Sequence, residues 1–164
     1  MRCPSFVTSV ALSVIFVSGC GLFLRAGRVE SRPNGVAAIF PQQDGWMQAD
    51  NSWTKNMIPI FEIPATGTSA TVVIRLSPHV TALSNHLPTY CDTMVLGTDD
   101  IHGISLPVTY EPAGSEETFR GTIAIAELAA LPDDKTLSLT LCAQRYVFNA
   151  RAVHAAIDAR VAGP

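Results

Sequence analysis

Asp99-Asp100-Ile101-His102 gathers two carboxylates and an imidazole within four residues of a 164-residue chain. Those groups hold metal ions or pass protons. The stretch lies between an apolar run and an alternating one, in the position of a turn, where Asp and His are also ordinary loop residues. His79, His86, Cys91 and Met94 offer the imidazole and soft sulfur donors that take copper, yet their spacings match no ligand motif. Glu116-Glu117 and Asp133-Asp134 fall in turn contexts. Adjacent residues of extended chain face opposite ways and cannot share a proton, so these pairs read as solubilising charge. G-x-S-x-G, H-E-x-x-H, C-x-x-C and a phosphate-binding loop are all absent from the sequence. The expectation is therefore no catalytic residue, no metal and no cofactor. Trp46 and Trp53, seven residues apart, either close one end of a core or anchor a partner's surface, together with Asp99, Asp100 and His102.

These residues must be held by an ordered domain. Charged residues are 15% of the chain and hydrophobic ones 48%, too apolar for disorder. The formal charge is −3 and the basic residues are scattered singly, so nothing tracks phosphates and nucleic acid is excluded as a partner.

The elements read mostly as short strands divided by turns. Val36 to Phe40 is a first strand, stopped by Pro41. Met57 to Ile63, carrying Pro59 and ended by Pro64, reads as an edge or bulged strand, because proline cannot donate to a ladder. It should form a hairpin with the β-branched run Thr71 to Leu76. Cys91 to Leu96 ends at Gly97, and Ile104 to Tyr110 alternates, with Pro107 again arguing for an edge. Phe119 to Ile125 pairs back across a polar turn. Glu127 to Leu131 suggests one helical turn, and Thr136 to Tyr146 is the longest strand signal, with Leu137, Leu139 and Leu141 on one face. Asn149 caps a helix to about Val161 with a stripe of Val153, Ile157 and Val161. The fold class expected is mainly β, an antiparallel β-sandwich, immunoglobulin-like or transthyretin-like, with one C-terminal helix.

The first 21 residues decide where this domain works. A basic start with Arg2, an apolar run from Phe6 to Val17 and small residues before a cysteine are the parts of a secretory leader. Val17-Ser18-Gly19-Cys20 resembles the lipobox of bacterial lipoproteins. The resemblance implies cleavage before Cys20, acylation of its thiol and, with glycine rather than aspartate at position 21, a place at the outer membrane. The run can also be extended from Phe6 to Leu24, whose 19 residues would just cross a bilayer as an uncleaved anchor. On the lipoprotein reading, residues 1–19 are a signal peptide, 20–35 a lipidated cysteine and tether, and 36–164 a single domain.

Export leaves Cys91 and Cys142 as an even pair in an oxidising compartment, where they are expected to form a disulfide. Cys142 shares alternation with Ser138 and Thr140 rather than with the leucines, which favours an outer or edge bridge over a buried one. Two functions follow. The first is a lipid-anchored module binding another envelope protein, as in a secretion or surface-assembly apparatus. The second is a metal-handling protein or envelope enzyme using the Asp99–His102 loop.

Overall fold

The computed structural model describes residues 26–44, 55–78, 91–98, 101–113, 116–141 and 144–162. Strands β1 (Arg28–Arg32) and β2 (Gly35–Ile39) form a hairpin, followed by β3 (Gln43–Asp44), β4 (Lys55–Pro64) and β5 (Ser69–Pro78). Then come β6 (Thr93–Thr98), β7 (Ile101–Ala113), β8 (Glu116–Ala124) and helix α1 (Ile125–Ala129). The hairpin of β9 (Leu137–Leu141) with β10 (Gln144–Phe148) leads into helix α2 (Arg151–Ala162).

All pairings are antiparallel, and nine strands form one curled half-barrel in the order β1-β2-β4-β5-β8-β7-β6-β9-β10, with β3 on β4 beyond the end of β2. The mainly-β expectation with a C-terminal helix is met, but two face-to-face sheets are not seen among the described residues. The long strand β7 explains why. Val108–Ala113 pairs with β8 and Ile101–Pro107 with β6, so one strand carries the sheet through what would otherwise be the gap between two layers.

Both prolines expected at edges are interior, because each sits where a ladder is already interrupted. The carbonyl of Pro59 accepts the N–H of Phe40 at 3.0 Å, so the nitrogen side of Pro59 faces the short break between β2 and β3, where its missing donor costs no ladder bond. Pro107 stands where β7 passes from β6 to β8. The β4–β5 and β7–β8 hairpins form as expected.

Three other expectations need correction. Residues 28–32, assigned to a tether, are strand β1: Arg-Val-Glu-Ser-Arg is too polar to signal a strand, yet charge is usual on an edge. The single strand from Thr136 to Tyr146 is two, β9 and β10, with Gln144 opposite Leu141 and only Cys142-Ala143 between them. Those two residues carry none of the Gly or Asn signals of a tight turn. In α2, Ala152, Val153 and Ala156 are buried while Val161 is 81% exposed. The helix docks through small residues: a Cβ on Gly27 would lie 2.7 Å from Ala152 Cβ and 2.8 Å from Phe40 Cε1. Asn149 Oδ1 accepts the Arg151 N–H at 3.2 Å, as a helix-start residue should.

One core fills the concave side. Alternation places Ala70, Val72, Ile74 and Leu76 of β5, and Phe119 and Ile123 of β8, in it together with the fully buried Leu137, Leu139 and Leu141 of β9. Phe40 makes edge contacts with Phe61, Tyr146 and Phe148 at centroid separations of 5.8, 6.3 and 4.8 Å, joining β4 and β10 across the curl.

Candidate functional site

Most residues singled out from sequence fall outside the described set: Cys20, Trp46, Trp53, His79, His86, Asp99, Asp100 and Cys142. His102 lies in strand β7 by its backbone rather than in a loop, since Thr98 pairs with Ile101. Met94 is fully buried in the core opposite Leu106 and Leu141, which removes it from any copper site. Cys91 is half-buried against that core. No group of three or more His, Cys, Asp or Glu among the described residues is placed to hold a metal ion.

The acidic pairs have partners that sequence did not suggest. Glu116 pairs with Arg75 across strands. Glu117 accepts a 3.5 Å hydrogen bond from the Tyr110 hydroxyl. Desolvation first, and the Glu117 carboxylate second, push the Tyr110 phenol above its ordinary range. Asp133 Oδ1 lies 2.7 Å from His154 Nδ1, and His154 Nε2 is 3.1 Å from the Leu128 carbonyl. His154 was missed in the sequence because a lone His in an alanine-rich helix carries no signal. With both ring nitrogens engaged, it joins α2 to α1 and the 131–135 turn and presents neither nitrogen to a substrate.

On the convex face, Arg120 bridges Glu62 at 3.2 Å and Glu111 at 3.1 Å, beside a small cluster of Ala37, Ile39, Ile60 and Val73. Its ion pairs are half-exposed and contribute little to stability. Two hollows flank the sheet. One of about 310 Å³ is lined by Arg32, Asn34, Glu62 and Thr71, and one of about 210 Å³ by Leu96, Thr98, Ile104 and Leu131. The Thr98 hydroxyl oxygen is buried without a hydrogen-bond partner.

The edge at β1 has the clearest interaction geometry. Hydrogen bonds from Ala65 N to Asn34 O at 2.9 Å and from Phe40 N to Pro59 O fix the even-numbered residues of β2 toward β4. Odd residues Gly35, Ala37 and Ile39 then bond β1 through Arg32, Glu30 and Arg28, their register partners. The main-chain groups of Val29 and Ser31 are left pointing away from the sheet, and no described strand pairs there. Val29 is 40% exposed. Arg28 and Arg32 both pair with Glu30, at 2.7 and 3.1 Å, which neutralises part of the edge's charge.

No protein-family model, curated protein or solved structure matches this chain.

Proposed function

We propose that this is an exported lipoprotein whose domain binds another protein of the cell envelope by accepting a strand of that partner along the outer edge of β1. The observation that carries the reading is the row of outward main-chain groups at Val29 and Ser31, which offers ladder hydrogen bonds to an added strand. It replaces Met57–Ile63 and Ile104–Tyr110 as the edge, since both of those strands are interior. The position suits an anchored protein. Cys20 precedes Arg28 by eight residues, at most about 28 Å of extended chain, so an edge at β1 stays close to the membrane bearing the lipid. Trp46, Trp53, Asp99, Asp100 and His102 are proposed partner contacts in their own right.

Val29→Pro and Ser31→Pro each delete one outward donor and leave the β1–β2 bonds intact, whereas Glu30→Pro deletes an inward one. Crosslinking in the native cells, followed by purification of wild type and variants, tests the edge. Partner recovery should fall several-fold for Val29→Pro and Ser31→Pro at unchanged thermal stability. Undiminished recovery with both would remove β1 as the contact.

A further inference from the structure

We propose that the hollow of about 210 Å³ between the concave face of β6 and β7 and the turn after α1 binds a small apolar amine, packing its body on Leu96, Ile104 and Leu131 and offering its ammonium to Thr98 and Glu127. The site depends on neither the lipid anchor nor the β1 edge.

The hollow follows from how the core closes at this end. Leu96 and Ile104 are register partners, so their side chains lie on one face of the sheet, and the fully buried Leu96 forms the floor. Thr98 lies opposite Leu137 as Leu96 lies opposite Leu139, which puts it on the same face. Across from them stand half-buried Leu131 and Pro132, which follow α1. This wall is braced: the Leu131 N–H donates to the Leu128 carbonyl at 3.3 Å, and the same carbonyl lies 3.1 Å from His154 Nε2. An engineered apolar cavity of about 150 Å³ takes one benzene ring, so the space here takes a ring with a short tail.

Two polar groups set the chemistry. The Thr98 hydroxyl oxygen is buried without a hydrogen-bond partner, a state that costs free energy until a partner arrives. One staggered χ1 step exchanges the hydroxyl with the methyl on the same carbon, so a group held in the hollow can become that partner. Water is poorly suited, because a buried water needs about two to four polar partners and the other lining side chains are apolar apart from Glu127. Glu127 stands at the exposed rim. Its Oε2 accepts the Ala124 N–H at 3.3 Å, which holds the carboxylate in place, and no described residue pairs with its Oε1. No described lysine or arginine lines the hollow. A negative rim without a countercharge attracts a cation and repels a carboxylate, so the ligand class is an apolar body ending in an ammonium, and not a fatty acid.

The isotope-labelled full chain in detergent, titrated with phenethylamine, phenethyl alcohol and hydrocinnamate and followed by its amide shifts, tests the site. Micelle uptake of a probe is the same for every variant and cancels in the comparison. The amine should bind with a Kd on the order of 1 mM, with shifts at Leu96, Ile104 and Leu131 and none at Val29. Thr98→Val keeps the shape and removes the hydroxyl, and should weaken amine binding about fivefold to tenfold. Glu127→Gln keeps an oxygen for the Ala124 N–H and removes the charge. In that variant the amine should lose its advantage over the alcohol, a change that mere damage to the fold would not produce. Hydrocinnamate should bind the wild type several-fold more weakly than the amine does. Equal affinities of the amine for wild type and Thr98→Val, equal binding of amine and hydrocinnamate, or shifts only outside the hollow would each overturn the inference. So would silence from all three probes, which would leave water as the partner of Thr98.

Discussion

Tyr146 on β10 donates its hydroxyl to the carbonyl of Pro41 at 2.6 Å, joining the last strand of the half-barrel to the β2–β3 corner 105 residues earlier. The ring is itself 1% exposed and packs on Phe40 and Phe148. Tyr146→Phe keeps the packing and leaves the Pro41 carbonyl unpaired, so unfolding by urea should show a loss of about 1–2 kcal/mol. Tyr146→Ala also opens a cavity, and its loss should reach about 3–5 kcal/mol. Equal effects from the two would mean that the hydrogen bond, and not the ring, joins the ends.

Gly35 begins β2 at φ +153°, and a Cβ there would overlap the Ile63 carbonyl oxygen. Both the backbone angle and the close approach exclude a side chain. Gly35→Ala should destabilise the fold by at least ~2 kcal/mol. Gly67 also has a positive φ, at 102°, but nothing lies within 4 Å of an added Cβ, so Gly67→Ala should cost only about 1 kcal/mol of backbone strain. Melting temperatures of the two variants, measured side by side, check the difference.

Much of the local structure was legible because it depends on alternation within one strand. The leucines at 137, 139 and 141, the β5 run and the cap at Asn149 follow from side-chain period and hydrogen-bonding chemistry, which a sequence states directly. What it did not state was the partner of each strand. Pro59 and Pro107 read as edge residues because the rule assumes an unbroken ladder, and only the tertiary arrangement reveals the interruptions that accommodate them. The Cys142-Ala143 connection has no turn residues, so β9 and β10 merged into one expected strand. The candidate site was less legible. The β1 edge is polar and was assigned to a tether, and the Asp133–His154 contact joins residues from two separate segments.

Tyr110 gives the sheet a response to alkaline pH. Its phenol titrates above the ordinary value of about 10, because ionisation is opposed by desolvation and then by the Glu117 carboxylate. The folded state therefore keeps the proton in a window where the unfolded chain has lost it. In this window the stability conferred by Tyr110 declines as pH rises from about 10 toward the folded value. Ultraviolet titration near the phenolate band, compared between wild type and Tyr110→Phe, should show a tyrosine titrating above the ordinary range that the variant lacks. Glu117→Gln removes the second cause and should move that midpoint down; an unmoved midpoint would assign the shift to desolvation alone.

The lipid anchor makes a prediction that requires no partner. If Val17-Ser18-Gly19-Cys20 is processed as in the lipoproteins it resembles, cells given a labelled fatty acid should yield a labelled protein that partitions into detergent. Cys20→Ala should abolish the label and leave the leader attached, raising the mass by the 19 residues before Cys20 less the lost acyl groups. The variant also separates the two membrane readings. An uncleaved anchor from Phe6 to Leu24 would hold the wild-type protein in the membrane without label, at full length, and Cys20→Ala would change neither property. On the lipobox reading the anchor lies within residues 1–25, so removing them should abolish the partitioning. Equal labelling of wild type and Cys20→Ala would place the acyl chain elsewhere and end the lipobox reading.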